Sequence, residues 1–329
     1  MYSKGGRFNS CITSKGTALG SKLPLFVPYR RTPRVPTVFL YLYFPAVQSW
    51  WRPQAATDLV AAFCKDTLIP FYMKTKADIV ENWLPRYTGV PLNEFGQYIL
   101  LTNFINYVSM FAEQFGVEIR GIDKPMQTAT ANGITIINFG MGSPMAATVM
   151  DLLSAIKPKA ALFLGKCGGL KNKTKLGDLI LPIAAIRGEG TSDDYLPAEI
   201  PALPSFRLQR AVSSMIKKHE KDYWTGTVYT TNRRVWEHDE NFKEYLRQIR
   251  AMAVDMETAT IFTVGFVNEI PHGALLLVSD NPMTPEGVKT SESDKKVTAD
   301  FVTAHLQIGI ESLLELKNSG ESVKHMRFE

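Results

Sequence analysis

Leu275-Leu276-Leu277-Val278 is apolar at every position and is followed at once by Ser279-Asp280-Asn281-Pro282. A strand without a polar face has to be covered on both sides, so the sheet that holds it must lie between layers of helices. Ala253-Val254 is a second such run and leads into Asp255-Met256-Glu257-Thr258-Ala259-Thr260. Each buried run therefore ends in a carboxylate, which predicts two acids at the mouth of one sheet. Paired carboxylates so placed suit acid/base or sugar-hydroxyl chemistry. Taken singly, each acid also has an ordinary reading. Asp255 or Glu257 can complement the dipole of a helix that starts there, and Asp280 before Asn-Pro can be a turn acid.

The rest of the composition narrows the class. A chain of 329 residues that is 45% hydrophobic can bury a large core as one big domain or two small ones. Its three cysteines, Cys11, Cys64 and Cys167, are odd in number and far apart. They form no disulfide framework and point to a reducing compartment, hence the cytoplasm. The five histidines have no ligand spacing, so no structural metal is expected. The net charge of +5 is unevenly distributed. Residues 1–57 carry eight basic side chains and no acid; subtracting those eight from the 37 basic residues leaves 29 against 32 acidic ones, a net of −3. That mildly acidic body offers no case for nucleic acid as a partner, and none is expected.

Residues 1–72 form a basic, acid-poor extension whose apolar stretch, Val38 to Phe44, is too short to span a membrane. Three readings compete for it: a targeting segment, a disordered arm, or an upstream stretch joined to a protein that begins at Met73. The last is favoured because regular patterning starts at Lys74. Residues 73–329 are then the catalytic domain.

Along that domain, a short helix is expected over Ala77–Leu84, with Pro85 starting a turn. A strand over Tyr98–Leu101 leads through Thr102-Asn103 into a helix ending near Gly116. Asn132-Gly133 between two β-prone runs signals a hairpin. Gly140-Met141-Gly142-Ser143-Pro144 then opens a helix to about Ile156, with Ser143 as N-cap and Pro144 at the first position. Its glycines would let backbone approach a ligand, although a structural tight turn explains them equally well. A strand over Lys159–Leu164 ends in Gly165-Lys166-Cys167-Gly168-Gly169, at the strand end where open α/β sheets bind ligands. Further strands are expected over Leu179–Ile186 and Trp224–Thr231. The first closes on a long loop through Tyr195; the second leads to Arg233-Arg234, which either grip a phosphate or are simply solvated. A final amphipathic helix covers Val297–Leu316. The alternation predicts one three-layer α/β/α domain with a mixed central sheet.

Gly140 to Ala146, Gly165 to Gly169, Val254 to Ala259 and Ser279-Asp280 together resemble, in order and spacing, the superfamily of purine nucleoside phosphorylases and nucleosidases. Arg86-Tyr87-Thr88-Gly89, Tyr98 to Phe104, Arg187 to Ser192 and Thr231 to Glu237 resemble its AMP nucleosidase branch. The resemblance spans about Ala77 to Leu316 and implies a nucleoside phosphorylase-like fold. By the same resemblance Met256 and Glu257 hold the ribose, Asp280 serves N7 of the purine and Tyr195 lies in the base loop. The turn at Gly142 borders the sugar, and Gly168 and Gly169 floor the base pocket. Arg187 either orders the base loop or binds ligand.

The implied reaction is hydrolysis of AMP to adenine and ribose 5-phosphate, without metal or organic cofactor. Asp280 would protonate the leaving base, ionised Glu257 would stabilise the cationic sugar, and water would attack C1′. Cleavage of unphosphorylated purine nucleosides by water or phosphate is the alternative enzyme activity, and nucleotide sensing without turnover a further one. Where phosphorylases carry two phosphate-gripping arginines, this chain has Tyr107 and Phe163, which favours water. Lys166, Arg233, Arg234 and Arg86 are the candidates for the 5′-phosphate, each contact to an ionised group contributing roughly 1.5 to 3 kcal/mol. The resemblance also implies a homo-oligomer, a hexamer built from dimers.

Overall fold

The computed structural model describes residues 74–320 apart from 285 and 286; the basic extension and the expected start at Met73 lie outside the described residues. Helix α1 (Lys76–Thr88) begins at a capping box formed by Thr75 and Asp78, and Gly89 ends it in the left-handed conformation at φ 70°. Pro85 sits inside this helix, not at its end as expected. In the last turn a proline removes one hydrogen bond, and Gly89 still finds Pro85 O to cap. Strand β1 (Tyr98–Thr102), helix α2 (Ile105–Phe115), and the hairpin of β2 (Gln127–Ala131) and β3 (Ile134–Asn138) follow. Asn132 and Gly133 at φ 53° and 78° form the tight turn that their dipeptide announces.

Helix α3 (Ser143–Leu153) is followed by β4 (Ala160–Gly169), β5 (Leu179–Gly188), α4 (Phe206–Lys218) and β6 (Tyr223–Thr231). Helix α5 (Glu240–Gln248), β7 (Ala253–Asp255), α6 (Thr258–Val267), β8 (His272–Asp280) and α7 (Ser291–Ser319) complete the domain. The closing helix starts six residues earlier than expected. A Thr290–Ser293 capping box begins it, and its first turns are charged and carry no apolar period.

One eight-stranded mixed sheet forms the middle layer. Strand β1 lies parallel between β3 and β4, and β4 continues parallel to β8. Strand β8 then pairs antiparallel with β5, β5 parallel with β6, and β6 parallel with β7. Strand β7 returns to β4, Gly168 opposite Val254 and Gly169 opposite Ala253, so strands 4, 8, 5, 6 and 7 close a ring. Closure satisfies sheet edges that would otherwise be open.

Side chains alternate between two cores as a period of two demands. Ile99, Leu101, Phe163 and Leu276 join α1, α3 and α6 on one face, while Leu100, Leu162, Leu164 and Leu277 join α2, α4 and α7 on the other. The expected α/β/α layering with a mixed sheet is thus observed, and the ring is an addition to it. Among the described residues no helix is long and apolar enough to cross a membrane, and no group of three or more His, Cys, Asp or Glu side chains is placed to hold a metal ion.

Candidate active site

The ring brings strand ends that are remote in sequence around one pocket. Asn103 and Phe104 come from the end of β1, Lys166 and Gly168 from β4, Arg233 and Arg234 from beyond β6, Met256 and Glu257 from beyond β7, and Ser279 and Asp280 from β8. Both strand-end acids of the apolar runs therefore face the same space. Strands β7 and β8 do not pair with each other; β4 pairs with both.

Asp255 and Glu257 divide the two readings that the sequence left open. Asp255 is buried and accepts from Thr230 Oγ1 at 2.7 Å, from the backbone N–H of Thr258 at 2.8 Å and from the Thr258 hydroxyl, with the Glu257 N–H at 3.3 Å. It holds the first turn of α6, the role of a helix N-terminal acid. Burial lifts its proton affinity above the usual carboxylate range, against these four donors. Glu257, 2% exposed, lines the same pocket and makes no cap bond to α6. The N–H of Gly142 donates to its Oε1 at 2.7 Å and the N–H of Met256 to its Oε2 at 3.3 Å. Burial, then the neighbouring Asp255, pushes Glu257 up to about 8.

Gly142 is therefore a contact of Glu257 and the N-cap of α3, a place expected for Ser143. The Ser143 hydroxyl donates to Met256 O at 2.7 Å, so the helix start and the Met-Glu turn hold each other. Gly142 lies at φ 91° and ψ 160°, a region open essentially to glycine alone. Gly142→Ala is expected to destabilise the fold by about 1 to 3 kcal/mol through backbone strain and to loosen Glu257. A thermal melt unchanged from the parent would contradict that account.

Asp280 is partly buried, and Ser279 Oγ donates to its Oδ1 at 2.8 Å. Burial raises its proton affinity; the Ser279 bond and the charges of Lys289 and Arg234 oppose the rise. The glycines of β4 let this corner close. A Cβ on Gly168 would stand 3.2 Å from Pro282 and from Val254, and one on Gly169 2.4 Å from Thr174 Oγ1. Gly168 lines the pocket, whereas Gly169 is spent on the packing against Thr174, and both belong to the strand rather than to a turn after it.

The candidate cations differ in how they are held. Lys166 is buried, donates to Asp294 Oδ1 at 2.9 Å and Thr298 Oγ1 at 3.0 Å, and lies 4.7 Å from the Phe104 ring centroid. Arg233 pairs with Asp239 at 2.7 Å and Arg234 with Glu237 at 3.3 Å, both at exposed positions. Arg86 lies exposed in the last turn of α1, where a cation complements the helix end, and does not line the pocket. Tyr195 does not line it either. Its hydroxyl donates to Asp151 Oδ2 at 2.7 Å, a carboxylate also bonded to Lys76 and Asn268. Arg187 turns its donors onto Ser192, Asp193, Leu196, Pro197 and Ile200, so it orders the loop.

Among the pocket residues given no role from sequence, Asn103 and Glu237 lie inside motif blocks and Lys289 lies outside them all. Asn103 is a polar residue at the end of a buried strand, the signal that found Asp280. Lys289, which pairs with Asp294 at 2.9 Å, stands just before the Thr290 cap of α7, with no sequence signal to mark it. Tyr107 and Phe163 are fully buried away from the pocket; the tyrosine hydroxyl meets His305 Nδ1 at 2.8 Å and the phenylalanine packs on Phe139.

Chemically, the pocket combines a buried carboxylate fixed by backbone donors, a second carboxylate with raised proton affinity, and a cluster of cations. Residues 98–315 match the phosphorylase superfamily. The chain is 30% identical over 284 residues to an AMP nucleosidase of Escherichia coli (strain K12), covering 72% of this chain and 58% of that protein. It thus spans somewhat more than half the length of that curated relative. It is 26% identical over 164 residues to a guanosine phosphorylase of Halorubrum lacusprofundi, half of this chain and 67% of the other. Among solved structures, an AMP nucleosidase from Bacteroides thetaiotaomicron is 60% identical, covers 75% of this chain and all of its own, and superposes with a TM-score of 0.67. A uridine phosphorylase from Vibrio fischeri, 23% identical with a TM-score of 0.60, shares the fold. By its matched residues and by these relatives, the chain belongs to the phosphorylase superfamily.

Proposed function

We propose that this protein hydrolyses the N-glycosidic bond of AMP, giving adenine and ribose 5-phosphate. The observation that carries the reading is the convergence of Glu257 and Asp280 on one pocket, the first gripped by the Gly142 N–H, the second poised to hold a proton. Cleavage builds positive charge on the ribose and negative charge on the base. Ionised Glu257 beside C1′ offsets the first, and Asp280 donating to N7 removes the second. Met256 and Glu257 face the sugar, and Gly168 floors the site. The 60% identity to a solved AMP nucleosidase over the full length of that chain supports the same substrate.

Water as nucleophile is supported by Tyr107 and Phe163, which put no cation at two positions where phosphorylases hold phosphate. For the 5′-phosphate, Arg233 and Arg234 fit best. Their present ion pairs are exposed and weak, so a phosphate can replace them at little cost, while Lys166 is buried and already bonded to Asp294 and Thr298. The reading includes a homo-oligomer in the cytoplasm and a catalytic domain beginning at Met73.

The test is release of free base from AMP, adenosine and inosine, each with and without inorganic phosphate, followed by chromatography. Adenine and ribose 5-phosphate should form from AMP without added phosphate, and kcat/KM for AMP should exceed that for adenosine by roughly 10²- to 10⁴-fold if two guanidinium contacts are lost. A protein begun at Met73 should give the same rates. Turnover of nucleosides only, or only with phosphate present, would replace this reading by phosphorolysis or nucleoside hydrolysis.

A further inference from the structure

Asn103 stands at the end of β1, just before the helix α2 cap Phe104, and lines the pocket. Its side chain lies beside Glu257 and works against the rise in that carboxyl's proton affinity, as a donor facing it does. An ionised carboxylate only accepts, so the amide nitrogen of Asn103 is the donor and the carbonyl oxygen points elsewhere. That oxygen, Oδ1, is buried and meets no hydrogen-bond partner among the described residues. A buried acceptor left unpaired costs about 1 to 3 kcal/mol, a cost the fold recovers when a ligand brings the missing donor.

Around C1′ the proposed reaction brings the 2′ and 3′ hydroxyls of the sugar and the attacking water as donors. A water that turns a lone pair to C1′ has two hydrogens to place. Glu257 and the adjacent Asn103 Oδ1 offer two acceptors side by side. Of the roughly four lone-pair sites of Glu257, backbone N–H groups take two and the Asn103 amide a third, so the water finds one there and needs Oδ1 for its second hydrogen. We propose that Asn103 is a catalytic residue: its amide nitrogen holds Glu257, and its Oδ1 accepts a hydrogen bond from the water that attacks C1′. The inference rests on the hydrolytic reading given above. In the step, the water oxygen bonds to C1′ as the C1′–N9 bond breaks and its electron pair passes to the base. Asp280 gives its proton to N7, and the proton lost by the water goes to Glu257. Exchange with solvent returns both carboxyls to their starting states.

The experiment compares the parent protein with Asn103→Ala and Asn103→Asp on AMP, 2′-deoxy-AMP and 3′-deoxy-AMP, without added phosphate. Asn103→Ala should lower kcat about 30-fold on all three substrates, the loss of one hydrogen bond to a reacting group, with KM for AMP within about threefold. Asn103→Asp keeps the oxygen but replaces the donor to Glu257 by a negative charge, so the acid limb of kcat/KM should move to higher pH. A loss that disappears on one deoxynucleotide would assign Oδ1 to that hydroxyl and overturn the water role. So would a loss confined to KM, or none. Parent protein that cleaves AMP only when phosphate is added would remove the hydrolytic reading and this role together, a result distinct from undiminished hydrolysis by Asn103→Ala.

Discussion

Asp280→Asn is expected to cut kcat for AMP by roughly 10²- to 10⁴-fold, the span of a lost general acid, while AMP binding stays within a few-fold. The carboxamide keeps the shape of the carboxyl and can still accept from Ser279 Oγ, which lies 2.8 Å from Oδ1 in the parent. What it lacks is a proton to give. Adenine leaving as an anion is a poor leaving group, and protonation at N7 makes it neutral. The environment supports this role because burial raises the proton affinity of Asp280, although Lys289 and Arg234 limit the rise. Single-turnover kinetics with calorimetric AMP binding separates the two quantities. A near-normal kcat would sink the assignment.

Glu257→Gln is expected to lower kcat/KM by about 10²- to 10³-fold, because a neutral amide stabilises a developing sugar cation far less than a carboxylate in a closed site. It should also change the pH profile in a definite direction. With Glu257 pushed up to about 8, the neutral form prevails below that value in the free protein. If the anion is the working form, kcat/KM of the parent rises with pH through about 8, and that limb is absent from the Gln variant. Stability supplies an independent check. A carboxyl whose folded value lies above its ordinary 4.5 keeps its proton on folding, so the stability it contributes is present below about 4.5 and is lost as pH rises to about 8. The Gln variant has no such loss, and its melting temperature should gain on that of the parent across this window. A pH-independent difference would show that Glu257 is not the titrating group.

Much of this architecture is written in local pattern. Asn132-Gly133 specified its hairpin, and the continuous apolar runs announced strands covered on both faces. Expectations failed where a tertiary contact overrode a local signal. Ser143 has the chemistry of an N-cap, yet its hydroxyl goes to Met256 O and Gly142 takes the cap position. The tyrosine of the long loop, Tyr195, is drawn off by Asp151, an acceptor that no spacing connects to it. Arg86 stays on its helix end, outside the pocket.

The amino-acid order by itself determined that buried strands end in Asp280 and in the Asp255–Glu257 pair, because hydrophobic runs and their polar stops are local facts. It did not determine that these ends meet. That was decided by the return of β7 onto Gly168 and Gly169 at the end of β4, a pairing between residues more than 80 positions apart. Only there does one acid become the anchor of a helix and the other the buried wall of a pocket. The division follows from which backbone N–H groups each can reach, and such reach exists only once the chain has closed on itself.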